Sequence, residues 1–280
     1  MIHVLNKPER PGRLDAVRLN LVATPWDLEP GWRHARASWL AKHPGEWNGK
    51  RLGVARLRLQ ANGAPELDVC ETDWATIQAA HERVDASSTV PELPVAGAVV
   101  EMRAPCAAVL HASLVSADGV IVMTERALGV RYHPGTWSAT LEEGLELQDL
   151  DSQGKGGLER VLLRGVREEL GEDVARMVDA GSARYVGTLW ERELMNPAIV
   201  AACWLARPYA EVAAAAKPAM AEVASAGVDG VRFDAQAAWA GWPEEPPSLV
   251  LLSGRRLAAG QLHPTAAFRL WASMGQGSDC

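Results

Sequence analysis

Cysteine is scarce in this chain, and its few cysteines are scattered. The 280 residues include Cys70, Cys106, Cys203 and Cys280, with no C-x-x-C pair and no histidine at metal-ligand spacing. This distribution favours free, buried or incidental thiols over metal ligands and disulfides. Because such thiols are typical of a reducing compartment, we predict a cytoplasmic protein.

An excess of basic charge and long apolar runs are also missing. The formal net charge is -7, which argues against a general nucleic-acid or membrane-surface binder, since both functions need basic faces. No apolar run is long enough to cross a bilayer. We also expect no signal peptide, because no basic-then-apolar segment precedes a small-residue cleavage site. The hydrophobic content of 48% is enough for a substantial core.

The first third of the chain, residues 1–95, predicts a small α+β unit. A polar lead-in over residues 1–15 is followed by alternating strand patterns and two helical ones. An Asn62-Gly63 pair indicates a hairpin turn, and a change of alternation between Val54 and Leu57 indicates a bulge in the preceding strand. Residues 85–97 have the proline and serine content of a linker.

Tryptophan is concentrated in this N-terminal unit. Its five tryptophans are Trp26, Trp32, Trp39, Trp47 and Trp74. We interpret them as core or domain-interface packing, which is the commoner role, in preference to a platform on which bases stack.

The remaining part, residues 96–280, changes character. It predicts, in order, a hairpin closed by Asp118-Gly119, a loop, a strand, a helix, a second hairpin, a helix, a strand and a final helix. The central helix is predicted over residues 156–172. Its apolar positions recur at helical spacing and are Leu158, Val161, Leu162, Val166 and Leu170.

The end of this central helix is acidic. Glu168, Glu169 and Glu172 are three or four residues apart, so their side chains are expected to converge. Like charges at these spacings repel, and a cation between them would relieve the repulsion. Hard divalent ions such as magnesium prefer carboxylate oxygens, so the sequence predicts a site for Mg²⁺ or Mn²⁺ here.

The same segment, RGVREELGE, resembles the second half of the Nudix box, R-E-U-x-E-E-x-G-U, where U is a bulky aliphatic residue. The matching positions are Arg164, Val166, Glu168, Glu169 and Gly171. Gly165 stands where the box has a metal-binding glutamate, and Glu172 stands where it has an aliphatic residue. If Gly144 is the glycine that opens the box, the polar segment DSQGKGG is an insertion of about six residues, which suits a loop.

The resemblance implies an α/β fold, a Nudix-like α/β/α sandwich around a mixed sheet, over roughly residues 98–275. The layout is also similar to the branch of the family that hydrolyses UDP-glucose and UDP-galactose and carries an N-terminal extension. The similar pieces are WNGKRL at 47–52, ETDW at 71–74, DGVRF at 229–233 and HPTA at 263–266.

The resemblance also implies roles for individual residues. Glu168 and Glu169 would bind the metal, and Arg164 would hold a glutamate in place. Because Gly165 has no carboxylate, a glutamate before Gly144 would replace it, and Glu191 and Glu193 are further candidates. The predicted catalytic residues are Glu143, Glu169 and Arg164, the predicted metal ligands are Glu168, Glu169, Gly144 and Glu142, and the predicted substrate-binding residues are Arg126, Arg131 and Asn196.

These residues predict a metal-dependent pyrophosphohydrolase that cleaves a nucleoside diphosphate linked to another moiety, such as a nucleotide sugar. The alternative is a catalytically weak or inactive module that binds a nucleotide without turning it over, with Gly165 as the mark of lost activity. In a third interpretation the central helix is structural and the N-terminal unit binds a protein partner. Many members of this fold dimerise, so a homodimer is also expected.

Overall fold

The computed structural model describes residues 2–8, 10–25, 30–60, 63–83, 99–153, 157–191, 193–217, 227–232 and 249–274. Several predicted features therefore lie outside the described residues. These are Trp26, Asn62, the linker at 85–97, part of the insertion at 154–156, the end of the alanine-rich segment at 218–226 and the terminal Cys280. Within the described ranges, no helix combines the length and the apolar character that crossing a membrane requires.

A four-stranded sheet is formed mainly by the N-terminal part of the chain. Its strands, in spatial order, are β3 (Arg18–Leu21), β5 (Pro65–Asp73), β4 (Lys50–Leu59) and β6 (Val99–Glu101). Helices α1 (Pro30–Lys42) and α2 (Trp74–Arg83) pack against each other beside it. The register of β4 against β5 shifts between Val54 and Arg56, which confirms the predicted bulge.

The larger sheet is mixed. Its main path runs β1 (Ile2–Asn6), β11 (Arg184–Glu191), β12 (Asn196–Trp204), β7 (Val109–Val115), β8 (Val120–Glu125) and β13 (Gly227–Arg232). Three short strands join it from the side, namely β2 (Gly12–Arg13), β9 (Trp137–Ser138) and β10 (Leu141–Gly144). Strands β7 and β12 are parallel, whereas the other strand pairs of this sheet are antiparallel.

Helices cover both faces of the larger sheet, so the fold is an α/β sandwich. Helix α3 (Leu158–Leu170) packs on one face, and α6 (Ala266–Met274) packs on the other. Alternation along β7 assigns its side chains to the two faces. Leu110 belongs to the same buried cluster as Val161 of α3, while the His111 ring lies 3.1 Å from the Thr265 hydroxyl, next to α6.

The prediction of a polar lead-in over residues 1–15 is wrong. Ile2–Asn6 forms an edge strand antiparallel to β11, and Gly12 and Arg13 pair with the same strand. The segment carries no periodic pattern long enough to read locally. It becomes a strand because the free edge of β11 satisfies its backbone groups.

The two predicted units share one core. The largest buried cluster joins Leu52 and Val54 of β4 to Leu110 of β7 and Leu141 of β10. Backbone hydrogen bonds continue the connection, since the Leu52 N–H donates to the Leu145 carbonyl at 2.8 Å. Residues of the N-terminal part therefore reach the loop that follows β10, which is where the candidate site lies.

The central helix is shorter than predicted. Helix α3 ends at Leu170, and Gly171 has a φ of 94°. A Cβ at Gly171 would lie only 2.3 Å from the Lys217 carbonyl oxygen, so the turn needs glycine here. The chain then starts the short helix α4 (Glu172–Ala175). Glu172 therefore does not continue the acidic turn of α3, and it forms an ion pair with Arg167. The prediction that Glu172 converges with Glu168 is wrong for this reason.

The remaining helix and the last short strands complete the chain. The alanine-rich pattern of residues 209–226 predicts one helix, but α5 (Tyr209–Ala215) ends at Ala215, and the backbone of Ala216 is extended. Strands β14 (Leu249–Val250) and β15 (Arg256–Leu257) form a separate two-stranded sheet. The hairpin of β7 and β8 turns at Asp118-Gly119, where Gly119 has a φ of 74°, and this confirms the predicted turn.

Candidate functional site

A small acidic cleft of about 180 Å³ is lined by residues of β8, the loop after it, β10 and the end of α3. Four glutamates and two arginines contribute to its walls. The lining residues include Arg51, Thr124, Arg126, Ala127, Val130, Thr140, Glu142, Glu143, Glu168 and Glu169. The structure thus brings together five of the predicted site residues, from strand β10, the loop after β8 and helix α3.

Strand β10 contributes two adjacent glutamates to this region. It pairs antiparallel with β7, so that Glu142 lies opposite His111 and Glu143 lies opposite Leu110. Because successive side chains of a strand point to opposite faces, Glu142 is directed towards α6 and Glu143 towards α3. The two carboxylates consequently meet different partners.

Glu143 packs directly against Gly165 of α3. A Cβ at Gly165 would lie 3.3 Å from Oε2 of Glu143 and 3.4 Å from its Cβ. The side chain of Glu143 therefore occupies the space beside the helix into which a larger residue at position 165 would project. A carboxylate is present at this point of the cleft although position 165 supplies none.

Arg164 holds the Glu143 carboxylate. Its Nη1 lies 2.9 Å from Oε1 of Glu143, and its Nη2 donates to the Gly144 carbonyl at 2.7 Å. Its Nη2 also pairs with the Asp149 carboxylate at 2.9 Å. Burial opposes the charge of Arg164, but Asp149 and Glu143 together raise its pKa above the ordinary value. Arg164 is therefore a fixed, charged anchor for the loop and the strand.

Compared with an exposed glutamate, Glu143 lies in surroundings that favour the neutral, protonated form of its carboxyl group. Burial raises its pKa to about 7, against the opposing effect of Arg164, and the nearby charge of Glu168 adds to the increase. Glu168 is half-exposed, and its carboxylate lies 3.8 Å from Nη1 of Arg164. Glu143 thus titrates near neutral pH, within reach of a second carboxylate.

The donor chemistry of the cleft suits a hard divalent cation. Glu143, Glu168 and Glu169 offer only carboxylate oxygens, which magnesium and manganese prefer. In the described part of the chain, however, no three His, Cys, Asp or Glu side chains are already arranged to hold a metal ion. The residue types fit magnesium, while the neutralising partner of Glu143 in this arrangement is Arg164.

Glu142 occupies a different environment. It forms ion pairs with Arg126 and Arg269 and accepts a hydrogen bond from Ser138. Burial alone would raise its pKa, but the nearby His263 and the guanidinium groups of Arg269 and Arg126 outweigh burial and hold the pKa well below its ordinary value. Glu142 was predicted as a metal ligand, but two arginines already neutralise its charge, so it does not need a metal ion as a partner.

The other predicted site residues are placed as follows. The Gly144 carbonyl accepts a hydrogen bond from Arg164. Arg126 lines the cleft but is paired with Glu142. Arg131 is directed to Glu46, at 3.1 Å. Asn196 is buried and donates to the buried Glu191 at 2.6 Å, so neither Asn196 nor Glu191 presents a polar group to a ligand in the cleft.

Three residues with clear roles were not predicted from the sequence. Asp149 anchors Arg164, Arg51 reaches the cleft from β4, and Arg269 reaches Glu142 from α6. Each lies far along the chain from its partner, or in a segment with no motif. A weak signal for Asp149 was its position, only five residues after Gly144, the candidate first glycine of the box.

No family model and no curated protein sequence matches the chain. The chain is similar to the crystal structure of DR0079 from Deinococcus radiodurans, with 15% sequence identity and a TM-score of 0.31. The alignment covers 45% of this chain and 67% of that one. A similarity at this level supports no conclusion about family or function.

Proposed function

We propose that this protein is a Nudix-type, metal-dependent pyrophosphohydrolase that cleaves a nucleoside diphosphate linked to another moiety, such as a nucleotide sugar. One observation carries the proposal: the carboxylate of Glu143 lies against Gly165, at the helix position where the Nudix box has a glutamate. The carboxylate that the helix lacks is supplied by the neighbouring strand. Glu168 and Glu169, which match the box, line the same cleft.

Magnesium or manganese, when bound by Glu168 and Glu169, would neutralise the pyrophosphate and make water more acidic. Glu143 is the candidate general base, because a pKa of about 7 suits proton transfer near neutral pH. It would accept a proton from the attacking water while the water oxygen bonds to one phosphorus. The P–O bond to the bridging oxygen then breaks, and two phosphate-containing products leave.

Arginine residues give the cleft its positive side. Arg164 keeps Glu143 in place through a 2.9 Å ion pair and is a positioning residue. Arg51 and Arg126 line the cleft, where their guanidinium groups can contact phosphate oxygens. Because each is already paired with a glutamate, with Glu146 and Glu142 respectively, the positive charges are held in place before a ligand binds.

A substrate panel tests this proposal. The purified protein would be incubated with nucleotide sugars, dinucleotides and nucleoside triphosphates in the presence of magnesium or manganese, and the products would be counted. We expect Glu169→Gln to lower turnover by about a hundredfold or more. Glu172→Gln is the matched control, since Glu172 lies in α4 and pairs with Arg167. Equal turnover by wild type and Glu169→Gln would refute the proposal.

A nucleotide-binding module without turnover is the second candidate. It is favoured by the pairing of Glu143 with Arg164 and by the lack, among the described residues, of a group of three side chains ready to hold a metal. Ligand-induced thermal stabilisation without product in the same panel would support it.

The described cysteines are free and buried, which supports our proposal of a cytoplasmic location. The homodimer stays a prediction.

A further inference from the structure

Trp47 is an exposed tryptophan whose position is set by its surroundings. It lies between α1 and β4, and 55% of its surface is exposed. Its ring covers Gly49, because a Cβ at that position would lie 1.9 Å from the nearest ring atom. The chain therefore has a glycine where any side chain would displace the ring. By contrast, Trp39 in the same unit is 1% exposed and packs in the core.

Arg51 connects this ring to the acidic cleft. Its guanidinium carbon lies 4.4 Å from the centroid of the Trp47 ring, as in a cation–π contact. The same side chain pairs with Glu146 and lines the cleft. Its Nε would lie 3.3 Å from a Cβ on Gly144, the residue after Glu143. The guanidinium group of Arg51 therefore lies between the Trp47 ring and the cleft where the pyrophosphate is proposed to react.

Further aromatic rings continue from Trp47 along this side of the molecule. The Trp74 ring lies 6.2 Å from that of Trp47 and 6.3 Å from that of Tyr132. Tyr132 is in turn fixed by hydrogen bonds with Gln78 and His81. The Trp47 ring thus has packed groups beside it that limit its motion, which lowers the entropy that would be lost when a ligand stacks against it.

We propose that Trp47 and Arg51 form a stacking shelf for the planar base of the nucleotide ligand. This inference rests on the proposed function, because it places the diphosphate in the acidic cleft beside Arg51 and Arg126. A base attached to that diphosphate through its ribose would then lie against the exposed part of the Trp47 ring and the Arg51 guanidinium beside it. Stacking of a base on an aromatic side chain tolerates all bases, so the shelf favours nucleotides over base-free phosphates without selecting one base.

Calorimetric titration with nucleoside monophosphates tests the shelf. UMP and AMP would be compared with ribose 5-phosphate, which has no base, in the presence of magnesium. We expect Trp47→Ala to weaken binding of UMP and AMP by about tenfold and to leave ribose 5-phosphate unchanged. Trp47→Phe keeps an aromatic face, so binding should stay within about threefold of wild type. Thermal melting of both variants checks that they are folded.

The outcomes separate this inference from the proposed function. Equal losses for UMP and ribose 5-phosphate, no loss for either, or no nucleotide binding by the wild type would each overturn the shelf. Turnover that Glu169→Gln abolishes and Trp47→Ala leaves intact at low substrate concentration would keep the hydrolase and refute the shelf. Nucleotide binding that depends on Trp47, without turnover of any substrate, would keep the shelf and refute the hydrolase.

Discussion

Glu142 and Glu143 are neighbours on β10, yet they lie in two regions with opposite electrostatics. Their side chains are similarly buried, at 11% and 12% exposed. On the α6 side, Glu142 meets Arg126, Arg269 and a serine hydroxyl, and its pKa is lowered. On the α3 side, burial outweighs the effect of Arg164, and the pKa of Glu143 is raised to about 7.

The difference shows that burial alone does not decide the charge of a carboxylate. Each glutamate has another acid nearby, Glu168 for Glu143 and Glu191 for Glu142, so what differs between the two regions is the number of cationic partners. The pleat of one short strand thus separates a permanently ionised, structural carboxylate from one that titrates near neutral pH. The second kind is the kind that acid–base catalysis uses.

Removing Arg269 should have the largest effect on the difference between the surroundings of Glu142 and Glu143. It is fully buried and donates to Ser138 and to the carbonyls of Ala112 and Leu141, each at 2.8 Å. Arg269→Met leaves Glu142 with one cation and several acceptors unsatisfied, so we expect the free energy of unfolding to fall by about 3–5 kcal/mol. Urea denaturation measures it. Adding Glu142→Gln should recover part of the loss, and no recovery would contradict the pairing.

The pH dependence of stability should have opposite signs at the two glutamates. Since Glu143 has a folded pKa of about 7 and an ordinary value of 4.5, the native state holds its proton more tightly. Its effect is absent below pH 4.5 and becomes destabilising as the pH rises to 7. Glu143→Gln should therefore gain stability over wild type across this interval, by up to about 3 kcal/mol.

Glu142 provides the contrasting measurement. Its pKa is lowered in the fold, so its stabilising effect is complete above its ordinary value of 4.5 and is lost as the pH falls through the folded pKa. Urea denaturation with a chelator, from pH 4 to 8, would compare both glutamine variants with wild type. Burial and the nearby charge of Glu142 raise the pKa of Glu191 to about 8, so the contribution of Glu191 cancels between wild type and Glu143→Gln but changes in Glu142→Gln. Parallel profiles for the two variants would contradict the assignment.

Turnover, like titration, should distinguish Glu143 from Glu142. If Glu143 is the general base, Glu143→Gln removes the proton acceptor, and we expect kcat to fall by about a hundredfold. The protein should stay folded, because a glutamine can still accept a hydrogen bond from Arg164. Steady-state kinetics on the substrate found in the panel would measure this, with Glu172→Gln as control. Unchanged kcat would assign the proton transfer to another residue.

The smallest effect is expected at Gly165. An alanine Cβ would lie 3.2 Å from Cδ1 of Leu141 and 3.3 Å from Oε2 of Glu143. Alanine gains about 1 kcal/mol of helix propensity over glycine, and this offsets the tight contact, so stability should change by less than about 1 kcal/mol. The displaced Glu143 carboxylate should still lower turnover several-fold. Thermal melting and kinetics would be compared, and full activity would show that the space beside Gly165 is unimportant.

Local sequence patterns predicted a good part of the fold. The apolar spacing of α3, the Asp118-Gly119 hairpin and the bulge after Val54 were readable, because each depends on neighbours within a few residues. The acidic pair Glu168 and Glu169 and their position at the end of a helix were readable for the same reason. The end of α3 was misplaced, because Gly171 turns the chain against Lys217, which is distant in sequence.

The candidate site was only partly predictable. The sequence proposed both Glu142 and Glu143 as replacements for the missing glutamate, and nothing local distinguished them. Only the pairing of β10 with β7 between α3 and α6 assigns Glu143 to Gly165 and Glu142 to Arg269. Likewise, the tryptophans looked alike in the sequence, and only the fold leaves Trp47 exposed beside Arg51.

The sequence by itself thus determined the central helix, the Asp118-Gly119 hairpin and which chemical groups are available at the end of α3. The tertiary structure decided which carboxylate meets which arginine, which one titrates near neutral pH, and that β1 joins the larger sheet. The physical reason is range. Helical and strand periodicity act over a few residues, whereas burial and ion pairing depend on partners such as Arg269 and Glu142, 127 positions apart.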